Sequence, residues 1–207
     1  MVSFIIDISQ LTCCKTRAVS IQIDTLVFKT SMHYQRWQHL LDRLSIEQDE
    51  QTYHQLVAAY SEKHRFYHNR QHIEAVLSHL DEVRGIVQHP DEVELALWFH
   101  DAIYQPFSKT NEQDSAQWAW DFLATRQSHE HIKQRVHGLI MATLHTSVPE
   151  LPDEPLIAGL DLTILGSSET QYQQFEIAVR REYKWVPSLI YRRKRIDVLR
   201  SFFEREK

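Results

Sequence analysis

From Trp37 onward the apolar residues of this chain return at three- and four-residue intervals, and that spacing confines the fold to packed helices. Trp37, Leu40, Leu41 and Leu44 form one stripe, and Tyr53, Leu56, Val57 and Tyr60 a second. Ile73, Val76, Leu77 and Leu80 form a third, with Asn69 as its N-cap and a stop near Gly85. Pro90 and Asp91 open a helix through Val93, Leu95, Leu97 and Phe99, whose end is apolar on every side and so belongs at the centre of the fold. Tyr104 to Thr110 reads as a loop, after which Asn111 is expected to cap a helix through Phe122. Ile132, Val136, Leu139, Ile140 and Thr143 line another helix ending near His145. Val148 to Pro155 breaks regular structure, and three more helices follow: a short apolar one holding Asp161, one from Tyr172 to Trp185, and one from about Ser188 to Glu204. Only 4 Gly and 6 Pro in 207 residues leave few turns, which again favours helices. The expected fold is all-α, one helical bundle over residues 31–207.

Residues 1–30 read differently. Phe4-Ile5-Ile6-Asp7-Ile8 and Val19-Ser20-Ile21-Gln22-Ile23-Asp24 alternate like half-buried strands, but two weak strands with no sheet to join make a poor domain. This segment is expected to be an N-terminal extension, either disordered or the product of an upstream start codon. Its adjacent Cys13 and Cys14 have poor geometry for a mutual disulfide, and no second pair exists to build a zinc knuckle. Leu11-Thr12-Cys13-Cys14 loosely resembles a lipoprotein cleavage site. Against export, no Lys or Arg precedes the apolar stretch, Asp7 interrupts it, and Cys13 stands where a small residue belongs. A cytoplasmic protein is expected. No run approaches the ~18 apolar residues of a membrane span. The net charge of -5 removes the simplest argument for a duplex nucleic-acid partner.

Two polar groups stand where the pattern calls for a buried helix: His100 and Asp101, directly after Leu95-Ala96-Leu97-Trp98-Phe99. Desolvating a carboxylate costs several kcal/mol unless something pairs it, and a metal ion is one such partner. An arginine from another helix is an alternative partner for Asp101. Asp161, among Ile157, Leu160, Leu162, Ile164 and Leu165, poses the same problem. If Asn69 caps its helix, His72 is the third helical residue and His68 lies just outside, so both imidazoles can reach one cavity. The alternative for each is an exposed histidine beside Arg65 and Arg70.

In order, His72, His100-Asp101 and Asp161 resemble the defining pattern of the HD superfamily of metal-dependent phosphohydrolases, an all-α family named after the doublet. The likeness extends to Arg65-Phe66-Tyr67-His68-Asn69, Trp98 to Tyr104, Asn111-Glu112 with Ser115-Ala116, Ala142-Thr143-Leu144-His145, Asp161 to Gly166, and Arg181-Glu182-Tyr183. These blocks resemble a bacterial subgroup assigned as phosphohydrolases and cover roughly residues 33–207.

The resemblance implies a divalent metal held by His72, His100, Asp101 and Asp161, with Asp101 as the bridge should two ions bind. Tyr67-His68-Asn69 with His72 is also similar to a block of the cyclic-nucleotide phosphodiesterases, which implies that His68 is a general acid. The base-recognition signatures of that family are not evident here. Mixed imidazole and carboxylate ligands suit Mn, Fe, Co, Ni or Zn, and Mg is also unresolved. Glu112 and His145 are candidates for a second metal or for supporting the ligands; each also suits a helix dipole, as a first-turn acid and a last-turn histidine.

Arg65, Arg70 and Lys109 are candidates for contacting a substrate phosphate, the alternative being solvated surface charge. Arg192-Arg193-Lys194-Arg195 is expected to be a solvated helix face. Trp98, Phe99, Trp118 and Trp120 are expected in the core, whereas Tyr104, in a loop that could act as a lid, is the aromatic candidate for substrate contact. The expected function is hydrolysis of a nucleotide or other small phosphate ester by metal-activated water. The alternatives are a non-catalytic metal- or nucleotide-binding regulatory domain and a purely structural helical module.

Overall fold

A computed structural model describes residues 33–145 and 149–205. The alternating segments at 4–8 and 19–24, the Cys13-Cys14 pair and the expected extension over 1–30 lie outside the described residues.

Among the described residues the fold is all-α, with no strand, and an HD-type bundle is compatible with it. The helices are α1 (33–43), α2 (Glu50–Ala59), α3 (Arg70–Val83), α4 (Pro90–Phe99), α5 (Asn111–Thr125), α6 (Glu130–Ala142), α7 (Glu154–Asp161), α8 (Glu169–Glu182) and α9 (Ser188–Arg205). Single 3-10 turns follow α3 and α7.

Local chemistry explains most of the boundaries. Asn69 caps α3 by accepting from the N–H of Gln71, and Pro90 opens α4, where its missing N–H costs nothing. Ser168 and Gln171 form a reciprocal capping box, which starts α8 at Glu169, ahead of the expected Tyr172. Asn111 differs from expectation. It is the first residue of α5 and not its cap, because its side-chain amide is spent on the backbone N–H and C=O of Gln105, closing the loop before the helix.

Helix α4 lies at the centre, with every residue from Glu92 to Phe99 buried. It packs against α3, α5 and α6, and the short connection over 126–129 makes α5 and α6 an adjacent pair. Trp37 of α1 closes the far side edge-on to Trp98 at 5.7 Å and tilted against Phe122 at 5.6 Å, while its indole N–H donates to the carbonyl of Asp49. Burying each such large side chain contributes about 1.5–3 kcal/mol. Phe99 is wholly buried and Trp98 nearly so, as expected, whereas Trp118 and Trp120 are half-buried at the edge of the bundle.

Two contacts fix α7 against this core. Gly138, within α6, is where α7 comes close: a Cβ there would stand 3.2 Å from both Glu154 and Leu151. The Asp153 carboxylate accepts from the N–H groups of Gln88 and His89, tying the start of α7 to the start of α4. The two helices have similar lengths, 8 and 10 residues, so their C-termini also meet.

Candidate metal centre and adjoining cavity

Four side chains converge where α4 and α7 end and α3 begins. His72 is the third residue of α3, His100 is the C-cap of α4 with Asp101 directly after it, and Asp161 is the last residue of α7. A ligand atom from each lies within 4.8 Å of all the others. His72 Nε2 is 3.1 Å from His100 Nε2, 3.4 Å from Asp101 Oδ2 and 3.2 Å from Asp161 Oδ1. His100 Nε2 stands 3.2 Å from Asp101 Oδ2 and 3.5 Å from Asp161 Oδ1.

The backbone aims these groups. The ring Nδ1 of His100 donates to the carbonyl of Leu97, which leaves Nε2 to face the cluster. Asp101 is carried round by a turn that Arg65 holds from below: its guanidinium, 1% exposed, donates to the carbonyls of His68, Asp101 and Ala102 and to Glu62. The N–H of Asp101 is satisfied by the hydroxyl of Tyr60.

The electrostatics of the cluster favour a cation. Burial works to raise the pKa of Asp101, yet His100, His68 and His72 hold it well below the usual carboxylate range. Asp161 is likewise held down, against its burial, by His100, His145 and His72. Burial works to depress both His72 and His100, and the two carboxylates raise them instead. Imidazole charge does not complete the centre, because Asp101 Oδ2 is buried and lacks a hydrogen-bond partner. An orphaned carboxylate oxygen is costly, and a divalent ion among two imidazole nitrogens and two carboxylates removes that cost. The C-termini of α4 and α7 add their partial negative charge at the same point. The residues present therefore fit a metal.

His145 extends the group, its Nε2 3.1 Å from Asp161 Oδ2, from a position just beyond α6 with φ of 54°. Glu112, in the first turn of α5, lines the same cavity; burial first, and then the anions Asp101 and Asp161, raise its pKa.

His68 stands beside the cluster in a separate arrangement. Its Nδ1 is 2.8 Å from Glu182 Oε2, and its ring stacks on Tyr104 at 4.2 Å. Glu182, the last residue of α8, is fully used: one oxygen accepts from the N–H groups of Phe66, Tyr67 and His68, and the other also accepts from the Tyr104 hydroxyl. Burial works to raise the pKa of this carboxyl, and His68, the N–H of Tyr67 and Tyr104 bring it below its ordinary value. With Nδ1 engaged, the free nitrogen of His68 is Nε2.

The cluster opens into a cavity of about 670 Å³ lined by His68, Asp101, Tyr104, Glu112, His145 and Asp161 together with residues of α8 and α9. Of the three cations singled out as phosphate contacts, Lys109 lines this cavity. Arg65 spends its guanidinium on backbone carbonyls and Glu62, and Arg70 lies in a separate crevice with His33 and Tyr53. The basic run in α9 divides: Arg192, Arg193 and Lys194 are exposed as expected, Lys194 at the edge of the cavity, whereas Arg195 is half-buried, lines the cavity and is held by Glu176 at 2.5 Å.

Glu182 and the cavity face of α9 were not among the sequence candidates. A signal for Glu182 did exist, since it continues the buried Phe175 and Val179 stripe of α8 as a carboxylate on an apolar face, the same oddity that marks Asp161. No helix among the described residues is long and apolar enough to cross a membrane. No protein-family model, no curated protein and no solved structure matches this chain.

Proposed function

We propose that this chain is a member of the HD superfamily and a metal-dependent phosphohydrolase acting on a nucleotide or other small phosphate ester. The observation that carries the reading is the His72, His100, Asp101 and Asp161 cluster, in which one buried carboxylate oxygen has no hydrogen-bond partner, opening into the cavity that His68 also lines. The ordered blocks of the sequence that resemble the superfamily add to it.

In this reading the four cluster residues hold the ion. When bound, a divalent cation neutralises charge on a phosphoryl group and lowers the pKa of coordinated water. The protein supplies the rest. Glu182 accepts a hydrogen bond from the Nδ1–H of His68, fixing the ring against Tyr104 so that Nε2 faces the cavity. His68 Nε2 then delivers a proton to the ester oxygen as it departs, and the Glu182 carboxylate steadies the charged imidazolium that precedes this transfer. Tyr104, tied to the same carboxylate, keeps one wall in place. Lys109 offers an ammonium to the non-bridging phosphate oxygens.

The test is a screen of the metal-reconstituted protein against nucleoside mono-, di- and triphosphates, cyclic nucleotides and simple phosphate esters, with and without chelator. Chelator-sensitive release of phosphate or of a nucleotide product is expected. Metal retention with no turnover on any substrate would replace the enzyme with a metal-binding regulatory domain.

A further inference from the structure

Beyond the metal cluster the cavity changes character. Its far wall is built by the turn after α7, by α8, by the link that follows α8 and by α9, through Leu165, Phe175, Val179, Val186, Val198 and Phe202. Tyr191, Lys194, Arg195, Val198 and Phe202 fall on one face of α9, so a whole helical stripe is turned toward this space. At about 670 Å³ the cavity is of the size that encloses a drug-sized molecule, far more than a phosphoryl group needs.

Several polar side chains that line the rest of the cavity are committed elsewhere. Asn111 is spent on the backbone of Gln105, Thr143 donates to the carbonyl of Ile140, and Ser108 pairs with Thr110. The Tyr191 hydroxyl is the buried exception, with no hydrogen-bond partner. On the α8 and α9 side that leaves one hydroxyl, too little to read the edge of a nucleobase, which takes a bidentate pair or its equivalent; the Glu112 carboxylate lies across the cavity on α5, beside the His/Asp cluster. Positive charge is also limited. Lys109 and Lys194 line the cavity and form no ion pair among the described residues, whereas Arg195 is held by Glu176. Two free ammonium groups beside a divalent ion match one phosphoryl dianion better than a di- or triphosphate chain.

We infer that the substrate of this site is the phosphate monoester of an apolar alcohol, its hydrocarbon or aromatic body lying between α8 and α9 and its phosphoryl group at the His/Asp cluster. This rests on the phosphohydrolase reading for the position of the phosphoryl group, while the apolar subsite stands on the wall itself.

The experiment separates the two. Non-hydrolysable alkylphosphonates from ethyl to octyl are titrated calorimetrically into the metal-loaded full chain, and hydrolysis of the matching alkyl phosphates is followed in parallel. Kd is expected to fall about three- to fourfold per added methylene, the yield of burying each one. The exposed Val198 is replaced in a Val198→Asn variant, which is expected to weaken octylphosphonate about tenfold and ethylphosphonate by less. A Kd that does not change along the series, no measurable binding, or tighter binding of nucleoside monophosphates than of octylphosphonate overturns the apolar subsite. Equal losses for both phosphonates in Val198→Asn remove α9 from it. Chain-length-dependent binding with no hydrolysis of any ester supports the subsite and overturns the hydrolase.

Discussion

Two carboxylates, Glu94 within α4 and Asp101 just past its end, have opposite fates. Glu94, 1% exposed, is neutralised on both oxygens: Arg36 reaches one at 2.8 Å, and Arg43 and Arg84 reach the other at 2.7 and 2.8 Å. Asp101, one residue past the His100 cap, faces imidazoles instead, and its Oδ2 has no hydrogen-bond partner. A guanidinium is permanently charged and carries enough donors to complete a carboxylate, so the Glu94 site is finished by the protein alone. Imidazole can give up its proton and become a ligand, so the Asp101 site is left open to a cation. The same desolvation problem has a structural solution at one point and a candidate functional one two turns further on.

The largest test of this contrast is Asp101→Ala. Metal content by elemental analysis should fall close to zero and hydrolysis by more than about 100-fold, since even disturbing a partner of a metal ligand costs 10- to 100-fold. Full metal content in the variant would break the comparison at its functional end. Glu94→Gln should do the reverse. It leaves three guanidiniums short of their anion and should lower unfolding stability by about 3 kcal/mol, the low end for breaking a buried ion pair because the arginines are partly exposed. Its metal content per folded molecule should stay at the wild-type value, as read by denaturant titration and metal analysis together.

A third expectation concerns the ion itself. Divalent metal at about 100 times its Kd should stabilise the wild-type fold by about 2.7 kcal/mol and leave His72→Ala nearly unmoved. Equal stabilisation of both would place the binding elsewhere. Glu182→Gln should have the smallest effect, lowering kcat by about tenfold and altering its pH profile more than KM, because the amide cannot steady the charge on His68. It should also flatten the acid side of the stability curve. The folded pKa of Glu182 lies below its ordinary value, so its contribution is complete above the unfolded pKa and is lost as pH falls through the folded one.

Much of this could be read from local pattern. The stripes from Trp37 to Tyr60 and from Ile73 to Leu80 specify helices with one buried side, and Asn69 and Pro90 mark where two of them begin, because caps and periodicity act within a few residues. Asn111 departs from the cap pattern for a related reason: its amide satisfies Gln105, and a loop closed that tightly leaves no signal in residue type alone. The basic run of α9 was legible as a helix face but not as two faces, since only packing against Glu176 and Phe175 turns Arg195 inward.

What the sequence determined by itself was the set of helices and the presence of ionisable residues on apolar stripes that could not be left uncompensated. Which compensation each received was decided by tertiary structure. Glu94 meets arginines as far as 58 residues away, His68 meets Glu182 across 114, and His72, His100 and Asp161 meet because α3 starts where α4 and α7 end. Helix periodicity is a property of neighbouring residues, whereas the partner of a buried charge is set by which helix ends the packed core brings together.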